Sequence, residues 1–273
     1  MKITTIQTGF PTNGLNEMAY KTIKIRQNKS LARVAFNRPH VRNALSEEMI
    51  AEVTRIFQDL STDESTRVIV LEGNGKAFSA GADLEYMKRS GVLDLDKNTK
   101  QGKKLAAMYQ SIESCSKPVI VKAHGYAIGG GFGFLTLGDI AIAEENTKFS
   151  LSEVKLGINP AVIGPFCVKK IGLSQFKALG ISGEMIGTER ALRIGLIHEI
   201  ASRGDLEVSV MKKVNQLLSA GPKAIKAFKA FCQNMDEEKS AALIAKLRAG
   251  SEGQEGLAAF LEKRKPNWVE TID

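Results

Sequence analysis

The sequence predicts an α/β protein in which a mostly parallel sheet is flanked by helices and followed by a C-terminal helical region. Three observations lead there. Short apolar runs rich in β-branched residues, Val68-Ile69-Val70-Leu71 and Pro118-Val119-Ile120-Val121, alternate with helical patterns. A glycine triplet, Gly129-Gly130-Gly131, sits where one such strand leads into the apolar run Phe132 to Leu137. Most of the chain beyond Pro160 has helical spacing.

In order, residues 1–17 are polar with Gly9, Pro11 and Gly14, and read as a mobile N-terminal arm. The core is expected over 18–200. Tyr20 to Ile25 and Leu31 to Phe36 alternate apolar with polar, a hairpin turning at Gln27-Asn28-Lys29. Ser46 caps a helix with Glu47 and Glu48 in its first turn and Met49, Val53, Ile56 and Phe57 on one face. The strand at Val68 follows. Residues 85–104 are charged and read as a mobile segment, either a solvated face or a lid, leading into a helix over 105–112. Strands are expected at 139–143 and 148–151, and a loop at 155–160. The helical region, 201–273, carries helices over 206–218, 222–232, 237–249 and 255–265.

The bulk numbers narrow the function. A chain of 273 residues, 43% hydrophobic and 25% charged, with mean hydropathy -0.11, describes one globular unit without a bilayer-length apolar run. The first residues lack the apolar stretch of a secretory signal, and Cys115, Cys167 and Cys232 are odd in number and far apart, so a cytosolic protein with reduced thiols is expected. No His, Cys or carboxylate spacing suggests a metal. The net charge of +8 suits an anionic partner, but with aromatics at 6% and no aromatic-basic interleaving it argues for a small polyanion over nucleic acid. Glu72-Gly73-Asn74-Gly75-Lys76-Ala77 lacks the upstream glycine and the Ser/Thr of a phosphate-binding loop.

Two stretches carry chemistry. In each, a strand runs into small residues whose N–H groups have no regular partner, which suits an approaching anion. The first is Phe78-Ser79-Ala80-Gly81-Ala82-Asp83-Leu84 and the second Gly125-Tyr126-Ala127-Ile128-Gly129-Gly130-Gly131. A glycine triplet alone fits a tight turn equally well. The pair resembles the crotonase family, the enoyl-CoA hydratases and isomerases, over nearly the whole chain. That resemblance implies a ββα spiral core. It also implies that the N–H groups of Ala82 and Gly130 bind a thioester oxygen, that Ala80, Asp83 and Lys263 contact coenzyme A, and that Glu153 is a general acid/base. It implies an acyl-CoA substrate with no further cofactor, and a homotrimer or dimer of trimers.

The run from Leu151 to Ile163 is most similar to bacterial methylglutaconyl-CoA hydratases of leucine breakdown. The chain departs from the common hydratase pattern at Gly133, where a second glutamate is usual. Three readings stay open: hydration of an enoyl-CoA or 3-methylglutaconyl-CoA, isomerisation through Glu153 alone, and a non-catalytic acyl-CoA- or RNA-binding protein. Gly133→Glu is expected to bring a carboxyl near the pocket.

Overall fold

The computed structural model describes residues 20–272, so the expected arm, 1–17, lies outside the described residues. A six-stranded sheet forms the centre. β1 (Ile23–Asn28) and β2 (Leu31–Phe36) are an antiparallel hairpin. β3 (Val68–Gly73), β4 (Val119–Ala123), β6 (Ile140–Glu144) and β9 (Glu199–Ala201) then add in parallel, in the order β1-β2-β3-β4-β6-β9. A second sheet of three short strands, β5 (Tyr126–Ile128), β7 (Lys148–Ser150) and β8 (Met185–Ile186), lies in the order β5-β7-β8. The hairpin turn begins two positions later than the alternation suggests. Asn28 pairs with Leu31, and Lys29 takes a left-handed φ of 50°, so the turn is the two residues Lys29-Ser30.

The strands are buried on both faces, which explains their continuous apolar runs. Ile69, Leu71, Val119 and Val121 point into the larger core with α1 (Glu47–Thr62), α3 (Leu95–Glu113) and α4 (Gly130–Leu137). Val68, Val70, Ile120 and Ile142 point the other way, against Leu206, Val210, Val214 and Leu218 of α7 (Leu206–Leu218). Ser46 caps α1 as the sequence indicates, its side chain accepting from Met49 N–H.

The charged stretch after Asp83 differs from expectation. It is helical apart from a break at 92–94, as α2 (Leu84–Gly91) and α3. Asp83 and Asp94 cap the two helices, and Lys88–Glu85 and Lys97–Asp94 pairs decorate the exposed faces. High charge here marks a solvated helix face. The loop expected at 155–160 begins inside a one-turn 3-10 helix, Glu153–Leu156. α5 (Gly164–Ser182) and α6 (Thr188–Arg193) precede α7, and then α8 (Pro222–Gln233), α9 (Glu237–Ala249) and α10 (Ser251–Leu261) complete the chain. The last helix begins and ends four residues before the expected 255–265, because Gly250 serves both as C-cap of α9 and N-cap of α10. α8 and α9 bury no residue of their own, while Trp268 to Ile272 return to the sheet. There Arg67 donates to the carbonyls of Trp268, Leu218 and Ala220, and Ile272 N–H donates to Asn215 Oδ1 at 2.9 Å.

Candidate active site

The two small-residue stretches meet. Ser79 bridges to Ala127 and Leu45 to Ala82, both in parallel register. Gly131 packs so tightly on Ser79 that a Cβ there would lie 2.5 Å from the Ser79 carbonyl oxygen. Gly81, at φ +90°, approaches the second stretch so closely that its Cβ would stand 2.8 Å from Ile128 O and 3.8 Å from Gly130 N. These are contacts only glycine permits.

The hydrogen-bond pattern then isolates two donors. Leu45 N–H donates to Gly81 O, and Asp83 N–H donates back to Leu45 O, which turns the intervening Ala82 N–H away from the ladder. Gly129, at φ 52° and ψ -116°, opens α4, and its N–H donates to Ser150 O. Gly130 is then the first helical residue, with an N–H that has no intrahelical acceptor. Among the described residues neither Ala82 N–H nor Gly130 N–H donates to a protein acceptor.

Glu153 reaches the same place from the second sheet's side. It follows β7 at the start of the 3-10 turn, and a Cβ on Gly129 would lie 3.0 Å from Oε1. Its Oε2 is buried without a hydrogen-bond partner. Burial pushes the carboxyl above its ordinary value, only partly offset by its own backbone N–H. A carboxyl with a raised pKa and an unpartnered oxygen beside two free N–H donors can exchange a proton with a molecule whose developing oxyanion those donors hold.

The other expected site residues fare differently. Ala80 lies in the first stretch, its N–H donating to Arg42 O at 2.9 Å. Asp83 is buried, and its carboxylate is engaged within the protein. It accepts from Arg38 at 2.8 Å and from the N–H of Glu85 and Tyr86, and Arg38 with these hydrogen bonds holds it below the usual carboxylate range despite burial. Lys263 follows α10 at φ 55°, and its Nζ makes no hydrogen bond or ion pair among the described residues.

Gly133 is not open space. A Cβ there would stand 2.6 Å from Ile163 Cγ2 and 3.0 Å from Tyr109 Cε1. The expectation that a glutamate at 133 brings a carboxyl to the pocket is therefore corrected: that volume is already filled by side chains.

Two contributors escape sequence reasoning. Asn43 is fully buried at φ 56°, donates through Nδ2 to Asn74 O and Ala77 O, and accepts from Arg38 N–H, thereby fixing the root of the first stretch. Tyr109, on α3, donates to Gly130 O at 2.8 Å. A buried Asn before an apolar pair is the only local hint of the first, and nothing local marks the second.

A pair of N–H donors at the junction of two strand ends, with a carboxyl whose Oε2 is buried beside them, is an arrangement that can stabilise an oxyanion while a proton moves. The comparisons identify the family. The family model described as enoyl-CoA hydratase/isomerase matches residues 26–271. The crotonyl-CoA hydratase of Syntrophomonas wolfei is 31% identical over 92% of this chain and 99% of its own, and the short-chain-enoyl-CoA hydratase of Clostridium acetobutylicum is 30% identical over 91% and 97%. A solved structure of a putative enoyl CoA hydratase/isomerase (crotonase) from Legionella pneumophila superposes with a TM-score of 0.86, at 35% identity, covering 92% of this chain and 100% of that one. The chain belongs to the enoyl-CoA hydratase/isomerase family and is an enzyme of that family. No helix among the described residues is long and apolar enough to cross a membrane.

Proposed function

We propose that this enzyme hydrates an α,β-unsaturated acyl-CoA thioester. Ala82 and Gly130 N–H hold the thioester oxygen, and Glu153 is the sole acid/base group. The carboxylate takes a proton from water, the hydroxyl oxygen adds to the β-carbon, and negative charge collects on the thioester oxygen between the two donors. Glu153 then returns its proton to the α-carbon. Loss of one such donor typically costs roughly a hundredfold or more in rate. The observation that carries this reading is the unpartnered, buried Glu153 Oε2 beside the two free N–H groups. Similarity to two hydratases supports hydration as the direction of chemistry. No cofactor beyond the thioester is required.

Isomerisation is the second reading, favoured by Ile163 and Tyr109 filling the place of a second carboxylate at Gly133. In it Glu153 moves a proton from the α-carbon of a 3-enoyl-CoA to its γ-carbon. The deciding experiment is an absorbance assay on crotonyl-CoA, 3-methylglutaconyl-CoA and a 3-enoyl-CoA. Turnover of one of the first two supports hydration, turnover of the third alone supports isomerisation, and turnover of none with folded protein rejects both. The 3-methylglutaconyl substrate rests on the likeness of the run from Leu151 to Ile163.

The same reading places the enzyme in the cytosol as a homotrimer or dimer of trimers. Support comes from α8 and α9, which have no fully buried residue within one chain, and from exposed Phe228, Phe260 and Leu261 on α8 and α10 and Met235 between α8 and α9. Coenzyme A contacts are proposed for the Ala80 and Asp83 segment and for Lys263. Light scattering at micromolar concentration checks the assembly, and a monomer contradicts it.

A further inference from the structure

The helical excursion α2–α3 is tied to both oxyanion donors. It starts at Asp83, the residue after Ala82, and its buried end carries Tyr109, whose hydroxyl donates to the carbonyl of Gly130 at 2.8 Å. Gly130 is boxed in. A Cβ there would lie 2.6 Å from Leu45 Cδ1 and 2.8 Å from the Tyr109 hydroxyl. Leu45 itself pairs with Ala82, the other donor. Tyr109 is wholly buried, and its ring packs on Phe134 of α4 and Phe166 of α5, with centroids 5.3 and 6.1 Å away.

Gly130 C=O already accepts from its own helix, so the packing of α4 does not require the tyrosine hydroxyl. What the hydroxyl adds is a second restraint on Gly130, the glycine of the two residues whose N–H groups face the site. Glycine's backbone is the least restrained of any residue, so an N–H borne by glycine keeps its aim only if something else holds it. Phenylalanine would supply the same ring packing. A buried tyrosine hydroxyl, by contrast, has to find a partner, and this one finds the oxyanion glycine.

We infer that Tyr109 is a positioning residue for the reaction: through its bond to Gly130 O it fixes the aim of the Gly130 N–H, and it couples α2–α3 to the oxyanion hole. This rests on the acyl-CoA reading above. The group acts on Gly130, not on substrate, so its removal lowers kcat and leaves KM in place.

The test is Tyr109→Phe in the full-length enzyme, with cinnamoyl-CoA as the probe. A conjugated thioester absorbs at longer wavelength when its carbonyl is polarised by two donors, so the bound spectrum reports the oxyanion hole without turnover. The expected result is a red shift in the wild type that shrinks by half or more in Tyr109→Phe. On the best of the three assay substrates, kcat falls about tenfold and KM stays within about twofold. Phe134→Leu, which trims the ring packing but keeps the hydroxyl bond, is expected to lower the melting temperature and keep the red shift.

An undiminished shift and unchanged kcat in Tyr109→Phe overturn the inference. So does a loss of shift in Phe134→Leu equal to that in Tyr109→Phe, since packing alone would then explain both. Absence of any shift in the wild type overturns the acyl-CoA reading instead, which separates the two failures. If Tyr109→Phe does not fold, 3-fluorotyrosine at 109 decides. It keeps the hydroxyl as a stronger donor and is expected to increase the red shift, and an unaltered shift rejects the role.

Discussion

Glu153 Oε1 stands over Gly129, 3.0 Å from where a Cβ on that glycine would be, and Gly129 carries a φ of 52° that L side chains rarely adopt. One residue thus serves two ends: it clears room for the carboxyl and turns the chain so that Gly130 N–H leaves the strand free. Gly129→Ala is expected to fail at both, pushing Glu153 aside and rotating the Gly129–Gly130 peptide. Turnover is expected to fall by two orders of magnitude or more, with a stability cost of about 1–3 kcal/mol for the strained backbone. Steady-state kinetics and urea unfolding check this, and near-normal kcat contradicts the assignment of Gly130 as donor.

Glu153→Gln is expected to separate activity from stability. The amide is close in shape and cannot exchange the proton, so kcat drops to near background while acyl-CoA binding survives. Because burial raises the Glu153 carboxyl above its ordinary 4.5, the folded state binds its proton more tightly than the unfolded chain does. Stability therefore falls as pH rises through the window between 4.5 and the raised value, and the penalty persists above it. Glu153→Gln removes that penalty, so it melts higher than wild type at pH 8, by ~2–4 °C per kcal/mol recovered, and the gain shrinks as pH falls from the raised value towards 4.5 and is absent below it. The wild-type kcat/KM should also fall as acid protonates the base. A variant that is less stable at pH 8 than wild type contradicts the buried-carboxyl account.

Gly133→Ala is expected to cost about 1–3 kcal/mol through overpacking against Ile163. The identity of the touching atom makes this specific. Ile163→Val keeps the Cγ2 methyl that a Cβ at 133 would meet at 2.6 Å, so it should give no relief. Ile163→Ala removes that methyl and should recover much of the cost in the double variant, although Tyr109 Cε1 at 3.0 Å still has to give. Urea midpoints for the four proteins of each cycle measure the coupling. Additivity with Ile163→Ala shows that the contact does not set the cost.

Much of the fold and site is legible in the sequence because it is local. Strands buried on both faces write themselves as apolar runs, Ser46 announces its helix, and the small-residue stretches stand at strand ends where free N–H groups arise. The departures have non-local causes. The sequence does not show that the Asp83 carboxylate accepts from Arg38, 45 residues away. Residues 85–104 look mobile by charge because composition does not reveal which face is solvated. Tyr109 looks like one more apolar position of α3, and its bond to Gly130 spans 21 residues. β9 is three residues long and exists because β6 offers it an edge, so no period marks it.

Lys170 supplies a pH test away from the site. Its Nζ donates to Gly138 O at 2.9 Å, where α4 ends, and lies 3.4 Å from His198 Nε2. Ala141 N–H donates to His198 Nδ1, so the neutral ring carries its hydrogen on Nε2, facing the ammonium. Two donors then point at each other unless Lys170 loses its proton. Burial first of all, against weaker help from Asp139 and Glu113, brings the lysine from 10.5 to about 8. Between these values the unfolded chain binds more protons than the folded one, so Lys170 adds stability as pH rises from 8 to 10.5, and its full penalty stands below 8. The span corresponds to on the order of 3 to 4 kcal/mol, at about 1.4 kcal/mol per pH unit. Lys170→Met keeps the length of the side chain and removes the titration. The difference in unfolding free energy between wild type and Lys170→Met, measured by urea from pH 8 to 10.5, is therefore expected to move steadily in favour of the wild type. A difference that stays flat across that range means Lys170 titrates as a solvated lysine and the opposed donors at His198 do not exist in solution.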